Sequence, residues 1–251
     1  MSKPVTIPPS RETPELRPIG AGRTHPGNVR ESNEDSLLTD PAQGLWAVAD
    51  GMGGYGHGDL AADLVADALS GMRQKAGPAR DLRSAVEGAN EAIYGYARQS
   101  RIGLMGSTVV AALLQSGIGH IVWAGDSRAY LWRPSGLTRL TRDHSVVQDL
   151  IDRGSVAAED AESHPHRHII TRAVGVRPSV EVEYIATPLA LDERLLLCSD
   201  GLTCCVGEAR ISEIIDAGPD PSTISEALVE EALAEGAPDN VSVIVVALQP
   251  T

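Results

Sequence analysis

Residues 108–133, TVVAALLQSGIGHIVWAGDSRAYLWR, hold three β-rich runs with little chain between them. Segments 108–114, 118–124 and 128–133 are apolar, with many β-branched or aromatic residues, and they are split only by Gln115-Ser116-Gly117 and Gly125-Asp126-Ser127. Connections this short permit antiparallel hairpins, whereas a parallel crossover needs about a dozen residues or more. The stretch predicts an antiparallel meander and argues against a doubly wound parallel sheet.

Upstream, 36–39 and 44–49 read as two strands joined by a turn at Pro41-Ala42-Gln43. Segment 58–74 carries Leu60, Ala61, Leu64, Val65, Ala68, Leu69 and Met72 at helical spacing, and 82–98 does so with Leu82, Val86, Ala89, Ile93 and Ala97. Downstream, helical patterns at 146–153, 210–217 and 222–234 are interleaved with strand patterns at 180–185, 195–198 and 241–248. The order predicts an α+β fold in which two mainly antiparallel β-sheets pack face to face, flanked by pairs of α-helices, an αββα sandwich. Residues 1–20, with prolines at 4, 8, 9, 14 and 18 and no apolar period, are expected to be a flexible tail; 21–251 would form a single domain.

The formal charge of −13 argues against a nucleic-acid partner, which would require a positive face. No stretch approaches the roughly 20 apolar residues that cross a bilayer, and no apolar segment follows Met1 as in a signal peptide. Three cysteines, 198, 204 and 205, give no disulfide framework. A cytoplasmic protein without membrane insertion is expected.

Aspartates recur where apolar runs end. Asp50 follows Leu45-Trp46-Ala47-Val48-Ala49, Asp126 lies just beyond His120-Ile121-Val122-Trp123-Ala124, and Asp200 follows Leu195-Leu196-Leu197-Cys198-Ser199. Asp-Gly alone is a common turn and means little. Several carboxylates on one rim of a sheet, however, repel one another unless cations lie between them, and hard divalent ions prefer such oxygen ligands. The pattern points to a metal-dependent hydrolase.

Three other motifs compete with this reading. Gly51-Met52-Gly53-Gly54-Tyr55-Gly56 fits G-x-G-x-x-G, but Asp50 would face a pyrophosphate and no second strand ending in an acid follows. Cys204 and Arg210 have the C-x₅-R spacing of thiolate phosphatases, yet Glu208 inside the loop would repel phosphate. His164, His166 and His168 alternate, but no further Cys or His is placed to complete a zinc shell. We read this segment as a flap beside the substrate, with His164 a candidate substrate contact.

Taken together, Arg30-Glu31-Ser32-Asn33-Glu34-Asp35, Asp50-Gly51-Met52-Gly53-Gly54, Gly106-Ser107-Thr108, Gly125-Asp126-Ser127-Arg128, Leu140-Thr141-Arg142-Asp143-His144-Ser145, Ile170-Thr171-Arg172-Ala173-Val174-Gly175, Ser199-Asp200-Gly201 and Pro238-Asp239-Asn240 resemble the metal-dependent Ser/Thr protein phosphatases, type 2C, in their compact bacterial form. The resemblance runs from about Gly27 to Leu248.

The resemblance implies hydrolysis of phosphoserine and phosphothreonine by a metal-activated water, with two Mn²⁺ or Mg²⁺ per site and a weaker third. Asp50 would bridge the pair with the Gly51 carbonyl on one ion, Asp200 and Asp239 would hold the other, and Asp126 with Asp200 the third. Glu34 and Asp35 would act through waters, and Arg30 would grip phosphate. Phosphoprotein substrates, an opposing Ser/Thr kinase and a monomeric state are expected. Where some relatives carry His after Asp-Gly, this chain has Met52, which leaves water, His57 and His164 as possible proton donors. Two rivals are a pseudophosphatase used only for binding, although no metal aspartate is missing, and a hydrolase of small phosphoesters.

Overall fold

A computed structural model describes residues 16–53, 57–161 and 164–250. The chain runs through β1 (Leu16–His25), β2 (Asp35–Asp40), β3 (Leu45–Gly53), α1 (Gly58–Ser70) and α2 (Pro78–Gln99). Then come β4 (Met105–Ser107), β5 (Val109–Gln115), β6 (Ile118–Ala124), β7 (Arg128–Arg133), β8 (Gly136–Arg139) and α3 (Val146–Asp152). It ends with β9 (Glu183–Pro188), β10 (Arg194–Cys198), α4 (Asp200–Thr203), α5 (Glu208–Ala217), α6 (Pro221–Ala234) and β11 (Val241–Pro250).

The strands form two sheets, β2-β3-β5-β6-β9 with β4 on the far end of β3, and β1-β11-β10-β7-β8. Every pairing is antiparallel. Leu45, Ala47 and Ala49 of β3 pack with α1 and α2, while Trp46 and Val48 face Leu195, Leu197, Ile244 and Val246 of the opposite sheet. Leu196 and Cys198 turn outward onto α5 and α6. Both faces of each sheet are therefore covered, which is why the strands read as unbroken apolar runs rather than alternating ones. The αββα sandwich is the observed architecture.

Two expectations need correction. Residues 108–133 are not one meander: β5 and β6 pair in one sheet, and at Gly125-Asp126-Ser127 the chain crosses to the other, where β7 pairs with β10 and β8. The short connection is right but it bridges layers, because the two apolar faces meet there. The predicted tail also overlaps structure, since β1 begins at Leu16 and pairs along its length with β11; residues 1–15 lie outside the described residues. β1 has no apolar period because Gly20 lies against the Trp46 indole, where a Cβ would stand 2.5 Å from Nε1. Pro18 is tolerated because β1 is an edge strand. The short β4, β8 and α4 also carry no separate sequence signal.

Candidate active site

One rim of the sandwich collects the aspartates through sheet topology. Asp35 opens β2 and pairs directly with Asp50. Asp50 lies where β3 passes from its ladder with β5 to a second ladder with β4, so the strand continues through Gly51–Gly53 instead of ending at Asp50. Asp126 occupies the crossover between sheets, Asp200 opens α4, and Asp239 stands just before β11. The cleft bounded by Asp50, Asp126, Asp200 and Asp239 measures about 930 Å³ and also takes in Arg30, Glu34, Gly51, Arg167, His168 and Cys204.

Hydrogen bonds lock the loops carrying these groups. Thr108 N–H donates to the Asp50 carbonyl at 2.8 Å, and its hydroxyl meets Ser127 Oγ at 2.7 Å, tying the Asp50 strand to the Asp126 turn. On the other side of that turn, Gly125 N–H donates to His144 Nδ1 at 3.0 Å, and Arg128 pairs with Asp143 at 2.8 Å. Asn240 is a staple: its Oδ1 accepts from Glu34 N–H at 2.8 Å, and its Nδ2 donates to the Pro26 and Ser32 carbonyls. It thereby holds the 26–34 loop, which bears Arg30. Gly51 has no room for a side chain, because a Cβ would lie 2.1 Å from the Gly58 carbonyl.

Electrostatically the cleft is overcrowded with negative charge. Burial, aided by Asp200 and Asp239, pushes the Asp35 carboxyl up to about 7 despite a 3.0 Å hydrogen bond from Ser199 Oγ. Burial, with Asp200 and Asp143, pushes Asp126 up to about 8. Asp50 is raised well above the ordinary range by burial and by Asp35, Asp200, Asp126 and Asp239. Asp200 is raised by burial and by Asp239, and it lies within hydrogen-bonding reach of Asp50. Among the described residues, Asp35 Oδ1 is buried without a hydrogen-bond partner. Arg30 pairs with Asp239 at 2.8 Å, but at the cleft mouth, with its side chain 57% exposed.

Hard oxygen donors, an orphaned carboxylate oxygen and unbalanced charge fit divalent cations. Among the described residues no three His, Cys, Asp or Glu side chains are grouped closely enough to hold a metal ion by themselves. That accords with Mg²⁺-type ions, which keep several waters and take only one or two carboxylates.

The structure brings Arg30, Glu34, Asp50, Gly51, Asp126, Asp200 and Asp239 to one cleft, with Asp35 directly behind Asp50. His164 is not on the cleft wall; its Nδ1 accepts from His166 N–H in a turn, and the cleft takes Arg167 and His168 instead. The C-x₅-R pair is no anion loop, since Arg210 is engaged by Glu231 and Glu213, and burial raises the Cys204 thiol. Gly54, Tyr55 and Gly56 lie outside the described residues. Sequence reasoning missed the work of Asn240, Thr108 and His144, whose partners lie far off in the chain. The quoted motifs already contained all three.

The two-sheet sandwich with a carboxylate cleft at one rim defines a phosphatase of the PPM class. Residues 21–228 match the sequence model described as Protein phosphatase 2C, and the chain belongs to that family. It is similar to the serine/threonine phosphatase stp of Listeria monocytogenes, 36% identical over 236 residues covering 89% of this chain and 93% of that protein. With the serine/threonine protein phosphatase PstP of Mycobacterium tuberculosis, identity is 38% over 230 residues, 90% of this chain and 44% of PstP. A crystal structure of the PstP catalytic domain in complex with 2 manganese ions gives a TM-score of 0.83 at 34% identity, covering 93% of this chain and 99% of that one.

Proposed function

We propose that this chain hydrolyses phosphoserine and phosphothreonine on proteins in a Mn²⁺- or Mg²⁺-dependent reaction, acting as a monomer in the cytoplasm and opposing a Ser/Thr kinase. The observation that carries the reading is the crowding of Asp35, Asp50, Asp126, Asp200 and Asp239 at one rim, where burial and repulsion among neighbouring carboxylates raise Asp35, Asp50, Asp126 and Asp200 above the ordinary range. Among the described residues no helix is long and apolar enough to cross a membrane.

Asp50 with the Gly51 carbonyl, Asp200 and Asp239 would hold two cations, Asp126 with Asp200 a weaker third, and Glu34 and Asp35 would order the coordinated waters. Bound there, the cations supply Lewis acidity toward water and toward the phosphoryl oxygens. Arg30 is exposed at the mouth and presents its planar donor fork to a phosphate dianion. Asp35, buried beside Asp50 across the β2–β3 ladder, would act through a coordinated water. Met52 cannot donate a proton to the leaving alkoxide; among the described histidines His168 lines the cleft and serves that step. Burial raises the Cys204 thiol, which makes it a poor nucleophile and leaves the attack to water.

The test is phosphate release from a phosphothreonine peptide and from p-nitrophenyl phosphate, with Mn²⁺, Mg²⁺ or EDTA. Turnover with either metal and none in EDTA is expected. Turnover of the small ester alone favours a different substrate class, and metal-independent turnover overturns the reading.

A further inference from the structure

A second groove of about 650 Å³ continues from the catalytic cleft, and Met52 and Ile170 form walls of both. Leu104, Val176 and Val180 join Met52 and Ile170 as an apolar strip within it, bordered by Arg172, Arg177 and Glu181. Two of the quoted motifs, through Met52 and residues 170–173, help to line it, but the chemistry of phosphate cleavage does not use it.

The groove is preformed. β4 adds to the far end of β3, pairing Met52 with Gly106 and bringing the preceding Leu104 to the rim. A Cβ at Gly106 would stand 2.7 Å from Val176 Cγ2, so the glycine is what lets the 174–176 segment close down. Asn90 of α2 then pins that segment at both ends, its Oδ1 accepting from Gly175 N–H at 2.7 Å and its Nδ2 donating to the Arg177 carbonyl at 3.1 Å. Arg172, which also lines the groove, pairs with Glu181 at 3.0 Å and Glu183 at 3.4 Å. Yet Leu104 stays 54% exposed on this fixed frame. An open groove whose apolar strip is held in place beforehand loses little entropy when a side chain enters it.

We propose that this groove receives an apolar side chain from the polypeptide flanking the phosphorylated residue. The inference rests on the phosphoprotein phosphatase reading and refines its substrate class: unstructured segments with Leu, Ile, Val or Met beside the phosphorylated position, in preference to all-polar ones. The occupant follows from continuity: Met52 and Ile170 line both the cleft and the groove, so residues beside a phosphorylated side chain seated in the cleft are the ones within reach of the groove. Met52 suits such a wall, being flexible and polarisable enough to fit different apolar partners.

The experiment compares kcat/KM for phosphothreonine peptides in which each flanking position is in turn Leu, Ser or Asp, with p-nitrophenyl phosphate as the flank-free reference. For the wild type, one position is expected to favour Leu over Ser by roughly tenfold, through KM, as partial burial of one leucine side chain would give. In Leu104→Asp, whose side chain is exposed enough not to threaten folding, that preference is expected to vanish while p-nitrophenyl phosphate turnover is unchanged. Val176→Thr, a milder change, should weaken the preference partway. Equal turnover of all flanks by the wild type overturns the proposal, as does an equal loss on peptide and small ester in Leu104→Asp. No turnover of any ester by the wild type would instead defeat the phosphatase reading, and the groove assignment with it.

Discussion

Asp35 and Asp50 face each other as direct partners across the β2–β3 ladder. Like charges at such a position are destabilising, and no Lys or Arg side chain forms an ion pair with either among the described residues. The pair is tolerable as a cation site and costly as anything else.

Neutralising one member separates function from stability. Asp50→Asn is expected to lower metal-dependent turnover by on the order of a thousandfold. In EDTA the same variant should be more stable than wild type near neutral pH, by about 1 kcal/mol, because folding no longer has to bury a carboxylate or take up a proton at that position. Urea denaturation with and without EDTA checks this; a destabilised metal-free variant contradicts it.

Cations should stabilise the fold. At about a hundred times its Kd, one bound ion adds about 2.7 kcal/mol. For a chain of 251 residues that corresponds to a melting point roughly 5–10 °C higher. Differential scanning fluorimetry across a Mn²⁺ titration gives the number directly.

The metal-free protein should have an inverted pH response. Asp35 and Asp126 keep their protons up to about 7 and about 8, against an ordinary value of 3.8. Between those limits the folded chain binds more protons than the unfolded one, so stability falls as pH rises from about 4 to about 8. With saturating Mn²⁺ the slope should flatten, because the cation takes the protons' place. Melting points in EDTA that climb across this window would refute the assignment.

Arg30 should matter for substrate and little for folding. Its pair with Asp239 is solvent-exposed, so Arg30→Ala is expected to shift stability by no more than about 0.5 kcal/mol. KM for a phosphopeptide should rise roughly tenfold, with partial recovery in Arg30→Lys, which keeps the charge and loses the fork.

Asn240 should do the reverse. Asn240→Ala leaves the Glu34 N–H and the Pro26 and Ser32 carbonyls without their partner, a loss of about 1–3 kcal/mol. Released from its staple, the loop should also hold Arg30 less well, so KM rises as stability drops.

Much of the fold was legible because helical and strand periods are local properties. The helix spacing in α1 and α2 and the apolar runs of β3, β5, β6, β10 and β11 follow from residues a few positions apart. The aspartates were legible as well, since each carries its own turn signature. β1 was not, because its buried face is glycine fitted against Trp46, and a missing side chain leaves no apolar mark. His164 and His168 could not be told apart, because a turn rather than an extended segment decides which reaches the cleft.

By itself, then, the sequence determined the layers of this protein and the type of ligand it offers, since periodicity and side-chain chemistry are written residue by residue. Only the tertiary structure decided where the chain changes sheets at Gly125-Asp126-Ser127, and that Asp35 opposes Asp50. It likewise decided that Asn240 reaches back to the Arg30 loop and that a groove opens past Met52. Those facts depend on contacts between residues far apart in the chain, and they are fixed when two apolar sheet faces meet and exclude water between them.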